Sequence, residues 1–228
     1  MTNPAPRRAG PRWLAAATLA LYLLFLWWYG GRGAPMGPQE VDRRLAAIEA
    51  SASPGSRGQG TPQGEIIQEL RRLAQSDDGN EFFMLNLIRF RAKALYPAGS
   101  AYGEDALAAD ARYSQALAPY LFKYGGVPVF MGTPTGRFLD ATGDTQWQRI
   151  VIVRYRSRRD MFDMVAAIAP LDVAIHKWAS IEKTQVFPVR SDFSLIAVRA
   201  VVAAALVAIA LVLHWLPGRR LHNKETST

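Results

Sequence analysis

Among its 228 residues the chain has no cysteine and only three histidines. The missing thiols exclude disulfides, thiolate catalysis, zinc–thiolate sites and iron–sulfur clusters. They leave the redox compartment open, because a cysteine-free domain suits either side of a membrane. The histidines are too few and too scattered for a metal shell, and no HExxH occurs. GTPTG at 132–136 lacks the Lys-Ser/Thr of a phosphate-binding loop, and there is no GxSxG elbow or internal repeat. No cofactor and no metal are expected from these residues.

Charge is missing from residues 13–29 (WLAAATLALYLLFLWWY), a run that can just cross a hydrocarbon core of ~30 Å at ~1.5 Å per residue. A cleaved signal peptide is the competing reading, but the run ends in Trp27-Trp28-Tyr29 and not in a small-x-small site. Residues 193–216 form a second apolar segment, interrupted near its start by Arg199, whose long stem can carry the guanidinium back to an interface. Pro217-Gly218 is expected to stop that helix.

What remains is a net charge of +8, and its placement decides its meaning. Arg7, Arg8 and Arg12 lie in the tail 1–12, and Arg219, Arg220 and Lys224 lie in the tail 217–228. Residues 30–193 hold 20 basic and 18 acidic side chains and are nearly balanced. This argues against nucleic-acid binding and for topogenic charge. Basic residues flanking spans stay cytoplasmic, so the expected location is a bacterial inner membrane. The chain would cross it twice, with both termini cytoplasmic and the region between the spans extracytoplasmic (periplasmic).

That region divides into 30–79 and 80–192. In the first, GGRGAPMG reads as a flexible exit, Pro38–Ala50 as a helix, 51–64 as a Gly/Pro/Ser-rich linker, and a short amphipathic helix ends near Ser76. The second reads as strand 82–91, helix 104–123 disturbed at Pro119, and strand 127–131, continued across a turn by 137–139. Strand 149–156, a helix capped by Ser157, a helical piece 171–183 and strand 184–189 follow. The class is α+β, in the ferredoxin-like βαββαβ order.

Alternation places Phe82, Met84, Asn86, Ile88 and Phe90 on one face, which reads as an apolar cavity wall with one polar anchor. Arg154 shares a face with Ile150 and Ile152, and if the cavity faces correspond it joins Asn86 to bind a carboxylate or carbonyl. The alternative is that Asn86 satisfies backbone groups and Arg154 makes an interface ion pair. His176 is the proton-handling candidate, with Asp172 four residues earlier to orient it, and it is also the one conceivable haem ligand. Tyr113 is a second candidate. The run Arg154, Arg156, Arg158 and Arg159 reads either as a solvated loop edge or as a site for an acidic partner or headgroup.

MLNLIRFR at 84–91, KYGG at 123–126, the strand from Trp147 to Tyr155 and the RDMFDMV helix after it resemble the DUF1330-type family of the dimeric α/β-barrel superfamily. The likeness covers about residues 80–190. It implies a homodimer whose two sheets pack face to face around a small cavity. That superfamily includes haem-degrading monooxygenases, lactone isomerases and binding-only proteins, while DUF1330 itself is of unknown function. The loop 92–103 and the segment around His176 depart from the family pattern. Two readings follow: a membrane-tethered module that binds a small hydrophobic ligand or acts as a scaffold, and a monooxygenase- or isomerase-type enzyme using Asn86, Arg154 and His176 or Tyr113. The expected partners are the lipid bilayer and a second copy of the chain.

Overall fold

Eleven elements are arranged in two units in the computed structural model, which describes residues 12–30, 33–52, 63–136, 138–139, 146–193 and 198–225. Side chains are described for all of these except 63–64 and 215–225. The first unit pairs α1 (Arg12–Tyr29) with α7 (Val198–Glu225). Of the described helices, α1 is long and apolar enough to cross a membrane, whereas Val198–His214 is a shorter apolar stretch. Arg199 is the second residue of α7, and its guanidinium lies 5.0 Å from the centre of the Tyr29 ring. The helix does not stop at Pro217-Gly218 as expected but continues to Glu225. A proline costs a helix one donor and a clash, and the apolar turns before it are long enough to carry the helix past.

The second unit, Gly30–Asp192, contains α2 (Pro38–Ser51), α3 (Gln63–Gln75), β1 (Phe82–Phe90), α4 (Ala106–Lys123), β2 (Val127–Gly132), β3 (Arg149–Tyr155), α5 (Arg158–Ile168), α6 (Val173–Ser180) and β4 (Ile181–Val189). The strands form one antiparallel sheet in the order β2-β3-β1-β4. Phe82 faces Tyr155 at one end of the β1–β3 ladder and Ile88 faces Arg149 at the other. Pro128 and Pro188 sit in the two edge strands, where a missing N–H is tolerated and further strand pairing is discouraged. The strand–helix alternation of the sequence is therefore present as a four-stranded α+β layer.

Helices cover one face of this sheet. Phe82, Met84, Val153 and Tyr155 pack with Leu121 of α4 and with Met161, Phe162 and Met164 of α5. The apolar stripe of α2 (Val41, Leu45, Ile48) joins the same core with Leu70 and Leu73 of α3. The exit segment, expected to be flexible, is pinned over its described residues. Gly33 N–H donates to Gly79 O at 3.0 Å, Met36 N–H donates to Asp77 Oδ2 at 2.7 Å, and the Met36 side chain is buried. Gly79 has φ +73°, and a Cβ there would meet the Ala34 backbone at 2.5 Å, so the close approach requires glycine.

Asp105 caps α4 by accepting from the N–H groups of Leu107 and Ala108. The helix runs through Pro119 as one element, held on both sides by Leu117 and Leu121 in the core. Gly125, at φ +72°, closes it. Ser157 caps α5 by accepting from Asp160 N–H. The helical piece before β4 is shorter than expected. Ile181, Glu182 and Lys183 belong to the strand, because a register shift at Arg89/Phe90 lets buried Ile181 pair with Phe90. Phe138 and Leu139 are exposed and extend no strand; Arg137 and residues 53–62 of the expected linker lie outside the described residues.

Candidate functional site

The register of β1 against β3 separates the two residues expected to share a pocket. Asn86 lies opposite Val151, and Arg154 lies opposite Phe83. Directly paired residues of an antiparallel ladder share a face, so Asn86 belongs to the helix-covered face and Arg154 to the other. Asn86 Nδ2 donates to the carbonyls of Met84 and Val151 at 3.0 and 3.3 Å, which is the backbone-satisfying role. Arg154 has no exposed surface. Its Nε and Nη2 donate to Glu81 Oε2 at 3.1 and 2.7 Å, and its Nη1 donates to Gly125 O at 3.1 Å. These residues do not form one binding site within the chain.

The basic run is equally occupied, and neither reading offered for it holds as stated. Arg156 and Arg158 are buried and do not line a solvated loop edge. The acidic partner exists, but it is this chain. Arg156 Nε donates to Asp160 Oδ2 at 2.8 Å, and the same carboxylate oxygen accepts from Ser157 Oγ at 2.6 Å. Arg158 Nη1 donates to Asp78 Oδ1 at 3.0 Å while its guanidinium covers Phe82 at 5.0 Å. Arg159 Nε donates to Glu40 Oε1 at 2.8 Å, and Arg44 adds a second contact to that carboxylate and another to Asp163. The Arg159 hydrogen bond, aided by Arg44, holds the Glu40 carboxyl below its ordinary range. The arginines of the first turn of α5 thus clamp α2 and the 77–78 turn to the sheet. Their partners lie up to 119 residues away in sequence, beyond the reach of a local motif.

His176, on α6, meets residues that sequence reasoning missed. Tyr96 Oη lies 2.8 Å from its Nδ1, a hydrogen bond whose direction follows the imidazole tautomer. The Tyr102 ring stands edge-on to the imidazole with centroids 4.7 Å apart, and Tyr96 and Tyr102 lie 4.8 Å apart. Arg112 of α4 places its guanidinium 5.5 Å from the Tyr102 ring centre. Its Nη1 is buried with no hydrogen-bond partner among the described residues. Burial first, and the Arg112 charge second, push the His176 imidazole below its ordinary pKa; Asp172 opposes this weakly. The expected Asp172–His176 orientation is replaced by Tyr96. Tyr113 sits elsewhere, 5.8 Å from the Lys177 ammonium.

The two tyrosines come from the loop 92–103 between β1 and α4. Leu95 N–H donates to Ala179 O at 2.9 Å, so the loop is tied to the end of α6. Tyr96 lies 80 residues from His176 in sequence, so no local motif announces the pair. A neutral imidazole bonded to a phenol can exchange a proton with it. The cluster nevertheless lies on the helical layer, away from Arg154.

A separate cleft of about 1000 Å³ opens beside the ends of β1 and β3, lined in part by Phe90, Leu107, Trp147, Arg149 and Gln185. Arg149 is tied there to Asp110, whose carboxyl is raised by burial against the opposing pull of Arg149. None of Asn86, Arg154, His176 and Tyr113 lines this cleft. No group of three or more metal-binding side chains occurs among the described residues.

Neither a protein-family model nor a curated protein matches the chain. Solved structures similar to it include two of one protein. One is RPA0582, a protein of unknown function from Rhodopseudomonas palustris, 23% identical with a TM-score of 0.51, over 60% of this chain and 99% of that one. The other is the methylated RPA0582 protein, 24% identical with a TM-score of 0.51, over 60% of this chain and 98% of that one. At such identities what is shared is the α+β fold.

Proposed function

We propose that the chain is a membrane-anchored, extracytoplasmic homodimer of the dimeric α/β-barrel kind, serving as a small-molecule-binding or scaffold module. The observation that carries this reading is the sheet face that none of the described helices of Gly30–Asp192 covers. Phe83, Leu85, Leu87, Ile150 and Ile152 line its centre, and Phe130, Phe187 and Val189 are exposed at its edges. A sheet that is apolar on both faces needs a cover on each, and within Gly30–Asp192 the helices cover one.

A second copy supplies the other cover, with sheets stacked ~10 Å apart. Arg89–Glu182 ion pairs at the rim of the same face suit a two-fold interface with a polar edge. A small hydrophobic ligand would lie between the two sheets, which is also where the DUF1330 resemblance places its cavity. The helices α1 and α7 would hold this dimer at the membrane as two spans with cytoplasmic termini.

Native mass spectrometry of the detergent-extracted full-length chain tests the assembly. The expected result is a dimer for the unaltered protein and a folded monomer for Leu85→Arg. A monomeric unaltered protein overturns the reading. The enzymatic alternative is favoured by one observation, the Tyr96–His176 hydrogen bond, and would require a substrate to reach the loop 92–103 on the outer helical layer.

A further inference from the structure

Between α1 and α7 runs a groove of about 540 Å³ whose lining is almost wholly apolar. Its position along the helix pair is asymmetric. At one end Tyr22 Oη reaches the Arg199 carbonyl at 3.4 Å, and the Arg199 guanidinium covers Tyr29, so the helices are joined there. The groove begins at Tyr22 and Ala203 and opens toward Arg12 and His214 at the end where the two termini emerge. Small side chains, Ala15 and Ala210 among them, create the space.

From Tyr22 to Arg12 the helix rises ~15 Å, half the ~30 Å hydrocarbon core, which is the depth of one leaflet. A groove that is apolar along one leaflet and basic at its mouth matches an amphiphile with an anionic head.

We propose that this groove binds one anionic phospholipid of the leaflet on the side of the termini. An acyl chain would lie along Ala15, Ala203 and Ala210, and the phosphate would meet Arg12 and His214. The proposal rests on the reading of α1 and α7 as membrane spans. The Tyr22–Arg199 contact closes the far end.

Full-length protein in nanodiscs of equal phosphatidylglycerol and phosphatidylcholine, released into native mass spectrometry, reads the bound lipid. The unaltered chain is expected to retain phosphatidylglycerol over phosphatidylcholine by about five-fold, the scale of one basic contact at an anionic headgroup. An Arg12→Gln/His214→Gln variant is expected to lose the preference and keep a lipid, and Ala210→Phe, which fills the groove, to lose both lipids. Equal retention of the two lipids by the unaltered chain, or an undiminished preference in the double variant, overturns the site. Alkaline carbonate washing of the native membranes separates the two ideas. A chain that washes off defeats the membrane reading, and a chain that stays but shows no lipid preference defeats the groove alone.

Discussion

Arg154 is a cation with no exposed surface, and its five donors explain how the fold tolerates it. Three of its contacts go to Glu81 and the Gly125 carbonyl, which links the start of β1 to the turn before β2. Truncation leaves Glu81 and the Gly125 carbonyl without this partner and opens a void. Arg154→Ala is therefore expected to cost about 3–5 kcal/mol in urea unfolding. A loss under about 1 kcal/mol would mean that the guanidinium is held for a ligand and not for the fold.

His176 gives a pH-dependent signature. The folded chain disfavours its proton, so below 6.5 and down to the lowered folded value the unfolded chain binds more protons. Its contribution is complete above 6.5 and is lost as pH falls through that window. Thermal unfolding should therefore show a midpoint that drops as the pH falls below 6.5, and drops less in His176→Gln, which cannot be protonated. Identical slopes for the two proteins would contradict this.

Residue types and strand faces were legible in the sequence here, because period-two alternation sorted Asn86 and Arg154 correctly within their own strands. Which face of one strand matched which face of the next was not legible. That depends on a register which only the paired strands define. Tyr96 and Tyr102 were hidden for a related reason: a loop carries no period to say where its side chains point.

At the scale of elements, α2 is more than a tether. Leu45 is 2% exposed within the core shared with α3 and α5, and Glu40 bridges Arg44 and Arg159. Leu45→Ala should cost about 2–5 kcal/mol by transfer and cavity terms. Glu40→Gln should cost about 1–3 kcal/mol as charge-assisted bonds are lost. If α2 were only a spacer between membrane and domain, both would leave the urea midpoint unchanged.

Most elements could be read in advance where periodicity and caps agreed, as in α2, β1, β3 and α5. Two ends were misjudged for one cause, surroundings that outweigh a local signal. Pro217 is a strong local breaker that the surrounding helix overrides, and Ile181–Lys183 joined β4 because tertiary pairing with Phe90 outweighed helical spacing. The docking of α2 on α5 was illegible, since its ion pairs join residues that no window of sequence contains.

For the whole molecule, the charge distribution, the two apolar helices and the half-covered sheet describe one arrangement. In the reading proposed above, the basic tails would fix orientation, the helix pair would hold the chain in the bilayer, and the apolar face would pack against a second copy. Absence of cysteine makes this arrangement directly addressable, because one introduced thiol reports one position. Gln185, paired with Leu87, lies on the open face, and Gln115 lies exposed on α4. Native membranes carrying Gln185→Cys or Gln115→Cys can be treated with a short bifunctional maleimide and resolved by denaturing electrophoresis. The account predicts a covalent dimer from Gln185→Cys and a monomer from Gln115→Cys; a monomer from both, or equal dimer from both, would contradict it.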